Sequence, residues 1–114
     1  MKKDVLIFVE HILESIHNIE DFMDGVTKEV FLKNKEKQSA VIRQIEIIGE
    51  AVKNIPSPFR KTHSDIPWGD IAGMRDKLMH QYFGVDLNTV WKVWTENIPE
   101  LKQKISIIKE NLKD

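Results

Sequence analysis

Within eight residues the chain carries an arginine, a carboxylate, an imidazole and a phenol: Arg75, Asp76, His80 and Tyr82. A guanidinium is a permanent cation whose planar fork of donors matches a phosphate. An imidazole takes or gives a proton near neutral pH. Together they could hold a phosphodiester and move protons at it. On a helix turning about 100° per residue, Asp76 and His80 are direct neighbours. Asp76 could therefore orient or charge-stabilise His80, as an acid does beside a catalytic imidazole. Arg75 and Tyr82 lie nearly on one face, close to the apolar stripe Ile71, Met74 and Leu78. Arg75 stands roughly 140° from His80, so only its long side chain brings the two toward one phosphate. The face that carries His80 points away from its own helix's core. That favours a cleft closed by a second subunit. The plainer alternative is that these are solvated helix charges, with Tyr82 packed near the core.

These residues need a helix, and the chain around them reads as helical. Val5, Phe8, Val9, Ile12, Ile16, Ile19 and Met23 recur at three- and four-residue steps, predicting a helix over about 4–24 that stops at Gly25. Thr27 suits a cap for a short turn through Lys33. A long helix is expected over about 35–55, with the stripe Val41, Ile42, Ile45, Ile48, Gly49 and Val52. Gly49 in mid-helix suggests close approach of a neighbouring helix. Residues 56–67, punctuated by Pro56, Pro58 and Pro67, read as the one real loop. Pro67 opens the helix that bears the reactive cluster, expected over about 67–83, with loosening at Gly73 and an end at Gly84. Asp86 caps a helix to about Asn97. Asn97 and Pro99 restart or kink the chain into a last helix carried by Leu101, Ile105, Ile108 and Leu112. No useful strand alternation appears. The expected architecture is all-α: one domain over 1–114, an antiparallel bundle of four main helices with short helical segments.

Composition narrows the chemistry. With 17 Lys+Arg against 18 Asp+Glu the formal charge is -1, so a bulk polycation is excluded. Nucleic acid, if bound, is met by a local patch. Residues 28–63 carry eight basic and four acidic side chains, against two and six over residues 2–24. That unevenness is either a solvated face or a phosphate-facing surface that includes Lys33, Lys35, Lys37, Arg60 and Lys61. There is no cysteine, which removes disulfides, thiolate metal sites and Cys nucleophiles. The longest apolar run near the start is five residues, Val5 to Val9, so neither a secretory leader nor a membrane span is expected, and the cytoplasm is the expected home. His11, Glu14 and His17 form half of a di-iron pattern at most, and they face opposite the apolar stripe. No metal and no cofactor are expected. Glu50 is either a structural acid near the site or surface. Trp68, Trp91 and Trp94 could stack on bases but suit packing better.

The segment Arg75 to Tyr82 resembles the Arg-x-x-x-x-His-x-Tyr signature of HEPN ribonucleases, and the chain around it resembles the HepT-like toxins. The similarity runs through Ile47-Ile48-Gly49-Glu50-Ala51, Ile66-Pro67-Trp68, Ile71 to Asp76, His80 to Phe83, Val90-Trp91 and Ile98 to Leu101. Lys28 to Lys37 carries no marker. The resemblance implies a HEPN-type helical bundle, a homodimer and metal-independent RNA cleavage. It assigns Arg75 and His80 to the catalytic pair and Asp76 to the supporting polar position. Tyr82 matches the tyrosine that an MNT-type nucleotidyltransferase antitoxin modifies with AMP. The implied role is the toxin of a toxin–antitoxin pair that cuts RNA, with tRNA and mRNA both open as substrates. The alternative is a non-catalytic helical dimer that serves as a platform for a nucleotidyltransferase. That reading leaves Arg75 and His80 free to vary.

Overall fold

The structure is a computed structural model. It describes the backbone of residues 2–80 and 86–113, and the side chains of these apart from residues 2, 3, 75, 77–80 and 113. The described residues form an all-α fold. Its long helices are α1 (Lys2–Met23), α3 (Lys35–Asn54), α5 (Trp68–His80) and α7 (Ile98–Lys113). The short ones are α2 (Lys28–Lys33), α4 (Ser57–Thr62) and α6 (Leu87–Lys92). α1 packs on α3 and α7, α3 also packs on α5, and α2 packs on α3 and α6.

The apolar repeats become the core. Val5, Val9, Ile12, Ile16, Ile19 and Met23 of α1 meet Val41, Ile45, Ile48 and Val52 of α3 and Leu101, Ile105 and Ile108 of α7, all buried. Gly49 is buried with them. Local signals set the boundaries. Gly25 adopts φ 71°, a left-handed conformation that favours glycine, and ends α1. Thr27 Oγ1 accepts from the Val30 amide, and Asn34 Oδ1 accepts from that of Lys37. Asp86 caps α6 by accepting from the Asn88 amide. The Thr89 hydroxyl and that amide hold its carboxyl below the usual value.

Two expectations change. The expected loop over 56–67 contains α4, with Pro58 in its first turn, where a missing N–H costs nothing. The helix expected from Leu87 to Asn97 passes at Val93–Asn97 into a π-helical turn that runs directly into α7, so Pro99 falls in the first turn of a continuing rod. A π turn accommodates one extra residue. That fits the buried series Val90, Val93, Ile98, Leu101, which takes a five-residue step where an α-helix would take three or four. α5 is unbroken at Gly73. The expected stop at Gly84 lies outside the described residues.

One clamp joins the ends of the chain. Lys102 Nζ on α7 donates to Glu20 Oε2 on α1 at 2.8 Å, and His17 Nδ1 lies 3.1 Å from the other oxygen. The Lys102 bond, more than His17, holds the Glu20 carboxyl below its ordinary value of 4.5, against the opposing effect of burial. A depressed carboxyl stabilises the fold above its unfolded value, and that contribution is lost as pH falls through the folded one. Lys102→Met is therefore expected to lower stability at pH 7 by less than about 1 kcal/mol, because the pair is about one-third exposed. The difference is expected to vanish on acidification below the ordinary carboxylate range. Chemical denaturation at several pH values checks this. A gap that persists at about pH 3 would assign the effect to packing of the lysine stem, not to charge.

No helix among the described residues is long and apolar enough to cross a membrane.

Candidate active site

α5 carries the cluster in its last two turns. Arg75, Asp76 and His80 all fall within the helix, and His80 is its last described residue. Five residues at 1.5 Å rise place the Arg75 and His80 backbones about 7.5 Å apart along the axis. The side chains of Arg75 and His80, and the whole of Tyr82, lie outside the described residues. The helix is held by α3, against which Ile71 and Met74 pack half-buried.

Asp76 is met from α3. Lys53 Nζ donates to Asp76 Oδ1 at 2.9 Å, with the two side chains 39% and 46% exposed. At that exposure the pair adds little stability. Its effect is geometric: it ties one carboxylate oxygen on the open side of α5 to α3. A carboxylate has acceptor capacity for more than one donor, so the pairing is compatible with Asp76 also supporting His80. Lys53 was missed by sequence reasoning. It stands 23 residues from its partner, and no local spacing links them. Only the packing of α3 on α5 does. Glu50, one turn earlier on α3, is exposed and lines an open groove of about 430 Å³ between α1 and α3 with Phe8, His11, Arg43 and Asn54.

Other candidates fall elsewhere. His11, Glu14 and His17 are all exposed on α1, on the side opposite its buried stripe. Among the described residues no group of three His, Asp or Glu side chains could hold a metal ion. Trp68 is buried, and its indole N–H donates to the carbonyls of Arg60 and His63. Trp91 packs its ring 5.7 Å from that of Phe31. Trp94 is half-buried against the core. The tryptophans thus pack within the bundle. An apolar recess of about 100 Å³ between α3, α5 and α7 ends at Met74, next to Arg75, and among the described residues no imidazole or guanidinium lines it.

A family model described as "Ribonuclease HepT-like" matches residues 12–108, most of the chain and all of the described cluster. The chain belongs to the HepT-like ribonuclease family. Ribonuclease is accordingly its enzyme class. The HepT-like relatives agree over nearly its whole length. A protein of Thermococcus cleftensis named as a probable ribonuclease HepT is 48% identical over 96% of this chain and 100% of its own. A protein of Methanocaldococcus jannaschii, named for a gamma-glutamylcyclotransferase and a candidate RNase, is 51% identical over 98% of this chain, which spans 50% of that protein. A protein of Caldanaerobacter subterraneus named as a candidate RNase is 45% identical over 89% of this chain and 90% of its own. No solved structure gives a significant match.

Proposed function

We propose that this HepT-like chain is a metal-independent endoribonuclease whose reactive pair is Arg75 and His80, supported by Asp76. The carrying observation is that one helix, α5, bears Arg75, Asp76 and His80 in its last two turns, with Asp76 fixed by Lys53 from α3. RNA brings its own nucleophile, the 2′-hydroxyl. A base takes the 2′ proton, the 2′ oxygen attacks phosphorus, and the bond to the 5′ oxygen breaks. The leaving oxygen then receives a proton, and the upstream fragment ends in a 2′,3′-cyclic phosphate. An imidazole suits both proton transfers. A guanidinium suits the charge that builds on the phosphoryl oxygens. The site is shared between two copies of the chain in a homodimer. The exposure of Gly69 and Gly73 and the half-exposure of Asp76, on the side of α5 away from Ile71 and Met74, are in keeping with a face that a second subunit covers. Static light scattering at micromolar concentration is expected to give roughly twice the chain mass. A monomer there would count against the shared cleft.

In the cell the enzyme acts as a cytoplasmic toxin restrained by an MNT-type nucleotidyltransferase antitoxin. The antitoxin transfers AMP from ATP to the Tyr82 phenol and releases pyrophosphate. If the helix continues to about residue 83, as its sequence predicts, Tyr82 shares a side with Arg75, and the added phosphate competes for the guanidinium through charge-assisted hydrogen bonds. Its charge also repels the RNA backbone. The test is expression with and without the partner, followed by intact mass and RNA cleavage. The unpartnered chain is expected to arrest growth and cut RNA. The coexpressed chain is expected to carry an adenylyl adduct on the peptide containing Tyr82, absent in Tyr82→Phe, and to cut poorly. Neutralisation of Tyr82→Phe by an adduct elsewhere would remove Tyr82 as the control point.

A further inference from the structure

The connection from α4 to α5 forms an open groove of about 410 Å³, lined by Ser57, Arg60, Lys61, Ser64, Trp68 and Gly69, with Ile66 at its base. Among the described residues the lining side chains include two cations and two hydroxyls and no carboxylate. The acid nearest in sequence on α5, Asp70, lines the apolar recess between α3, α5 and α7. The groove is built rather than incidental. Trp68 Nε1 donates to the carbonyls of Arg60 at 3.2 Å and His63 at 3.0 Å. Lys104 Nζ from α7 reaches the Asp65 carbonyl at 2.7 Å, and the rings of Phe59 and His63 pack 4.4 Å apart. Arg60 is half-buried, and its Nε is buried with no hydrogen-bond partner. Among the described residues neither Arg60 nor Lys61 has an ion-pair partner. With Nε closed to solvent, it is the remaining N–H groups of the guanidinium, together with the Lys61 ammonium, that are placed to meet an anion in the groove. Lys37, by contrast, spends its ammonium on the Phe22 carbonyl at 2.8 Å.

Position decides what kind of anion. Gly69 and His80 are 11 residues apart on α5, three turns to within about 20°, so they stand on the same side of the helix about 16 Å apart. Asp76 lies between them on that side, with its charge offset by Lys53. A strand laid along α5 from the reactive turn thus reaches Arg60 and Lys61. An open groove also suits a continuing chain better than an enclosed small molecule. We infer that the groove of Arg60 and Lys61 is a subsite for a backbone phosphate of single-stranded RNA, several nucleotides from the bond that is cut. This rests on the ribonuclease reading above.

The test uses the full chain carrying His80→Ala, so that binding is read without cleavage, and a fluorescein-labelled mixed-sequence single-stranded RNA of about 12 nucleotides. Affinity is measured over a range of salt. Arg60→Gln with Lys61→Gln is expected to weaken binding on the order of ten-fold and to reduce the slope of log K against log salt by about 0.7, the share of one neutralised phosphate. Arg60→Lys is expected to keep the slope, which a purely structural role would not explain. With His80 intact, the double variant is expected to raise KM more than it lowers kcat. An unchanged salt slope in the double variant overturns the subsite, and if that protein still cuts RNA the ribonuclease reading stands. If RNA binding ignores the double variant while inorganic phosphate alone saturates a site that the variant loses, the groove serves a free anion and the proposal falls. A chain that neither binds nor cuts RNA overturns both readings.

Discussion

Replacing His80 with alanine is expected to lower RNA cleavage by about 10²–10⁴-fold, the range that a positioned acid or base contributes. Residual activity would reflect binding and the charge of Arg75. Helical circular dichroism and melting are expected to stay nearly unchanged, because the apolar residues that pack α5 on α3, Ile71 and Met74, are untouched. Arg75→Ala is expected to cost about 10²–10³-fold, the size of losing one preorganised donor to a developing oxyanion. Arg75→Lys keeps the charge but loses the planar fork, and is expected to fall between the two. Arg75 lies nearer the stripe of Ile71 and Met74, so its melting curve must be recorded with its rate. The measurement is single-turnover cleavage of a labelled RNA by each purified protein, with growth inhibition as the cellular readout. Equal rates for wild type and His80→Ala would move the chemistry to other residues.

Phe31→Ala is expected to be among the most damaging changes outside the site. α2 is six residues long, too short to stand alone in water. It is held by the Phe31 ring, which is fully buried and lies 5.7 Å from Trp91. Gln38 Nε2 also donates to the Phe31 carbonyl at 2.9 Å. Truncating a buried phenylalanine costs about 3–5 kcal/mol, a large share of the 5–15 kcal/mol that typically holds a domain together. The melting temperature is expected to fall on the order of 10–20 °C. Phe31→Leu, which keeps most of the volume, is expected to cost less than about 1.5 kcal/mol. Thermal melts of the two variants check both values. A Phe31→Ala protein that melts with wild type would show that α2 does not brace α3 and α6.

The long helices were legible because their burial is one-sided. A stripe such as Val9, Ile12, Ile16, Ile19 repeats only if one face is dry. Gly25, Thr27 and Asp86 were legible because a positive φ or an orphan amide demands a particular residue type. The segment at Pro58 was misread because proline breaks a helix in its interior and starts one in its first turn, and the residue alone does not say which. The π turn left a trace, the five-residue step from Val93 to Ile98, but Asn97 and Pro99 offered a simpler kink. At the site, α5 and its reactive residues were readable from spacing and resemblance. Lys53 was not, because it reaches Asp76 only through the packing of α3 on α5.

The π turn at Val93–Asn97 also makes a phase shifter of the rod that contains it. Upstream, Trp91 bears on Phe31 of α2, and downstream Lys102 and Ile105 bear on α1. Wind the same five residues as regular α-helix, with none removed, and the step from Val93 to Ile98 would no longer close on one face. Everything beyond it would then rotate by about 100° about the axis. Ile98, Leu101, Ile105 and Ile108 would swing out of the core together, and Lys102 would leave Glu20. The two ends of the rod are thus geared to each other. α2 and α1, which share no segment of chain with it, keep their alignment through the winding of these five residues.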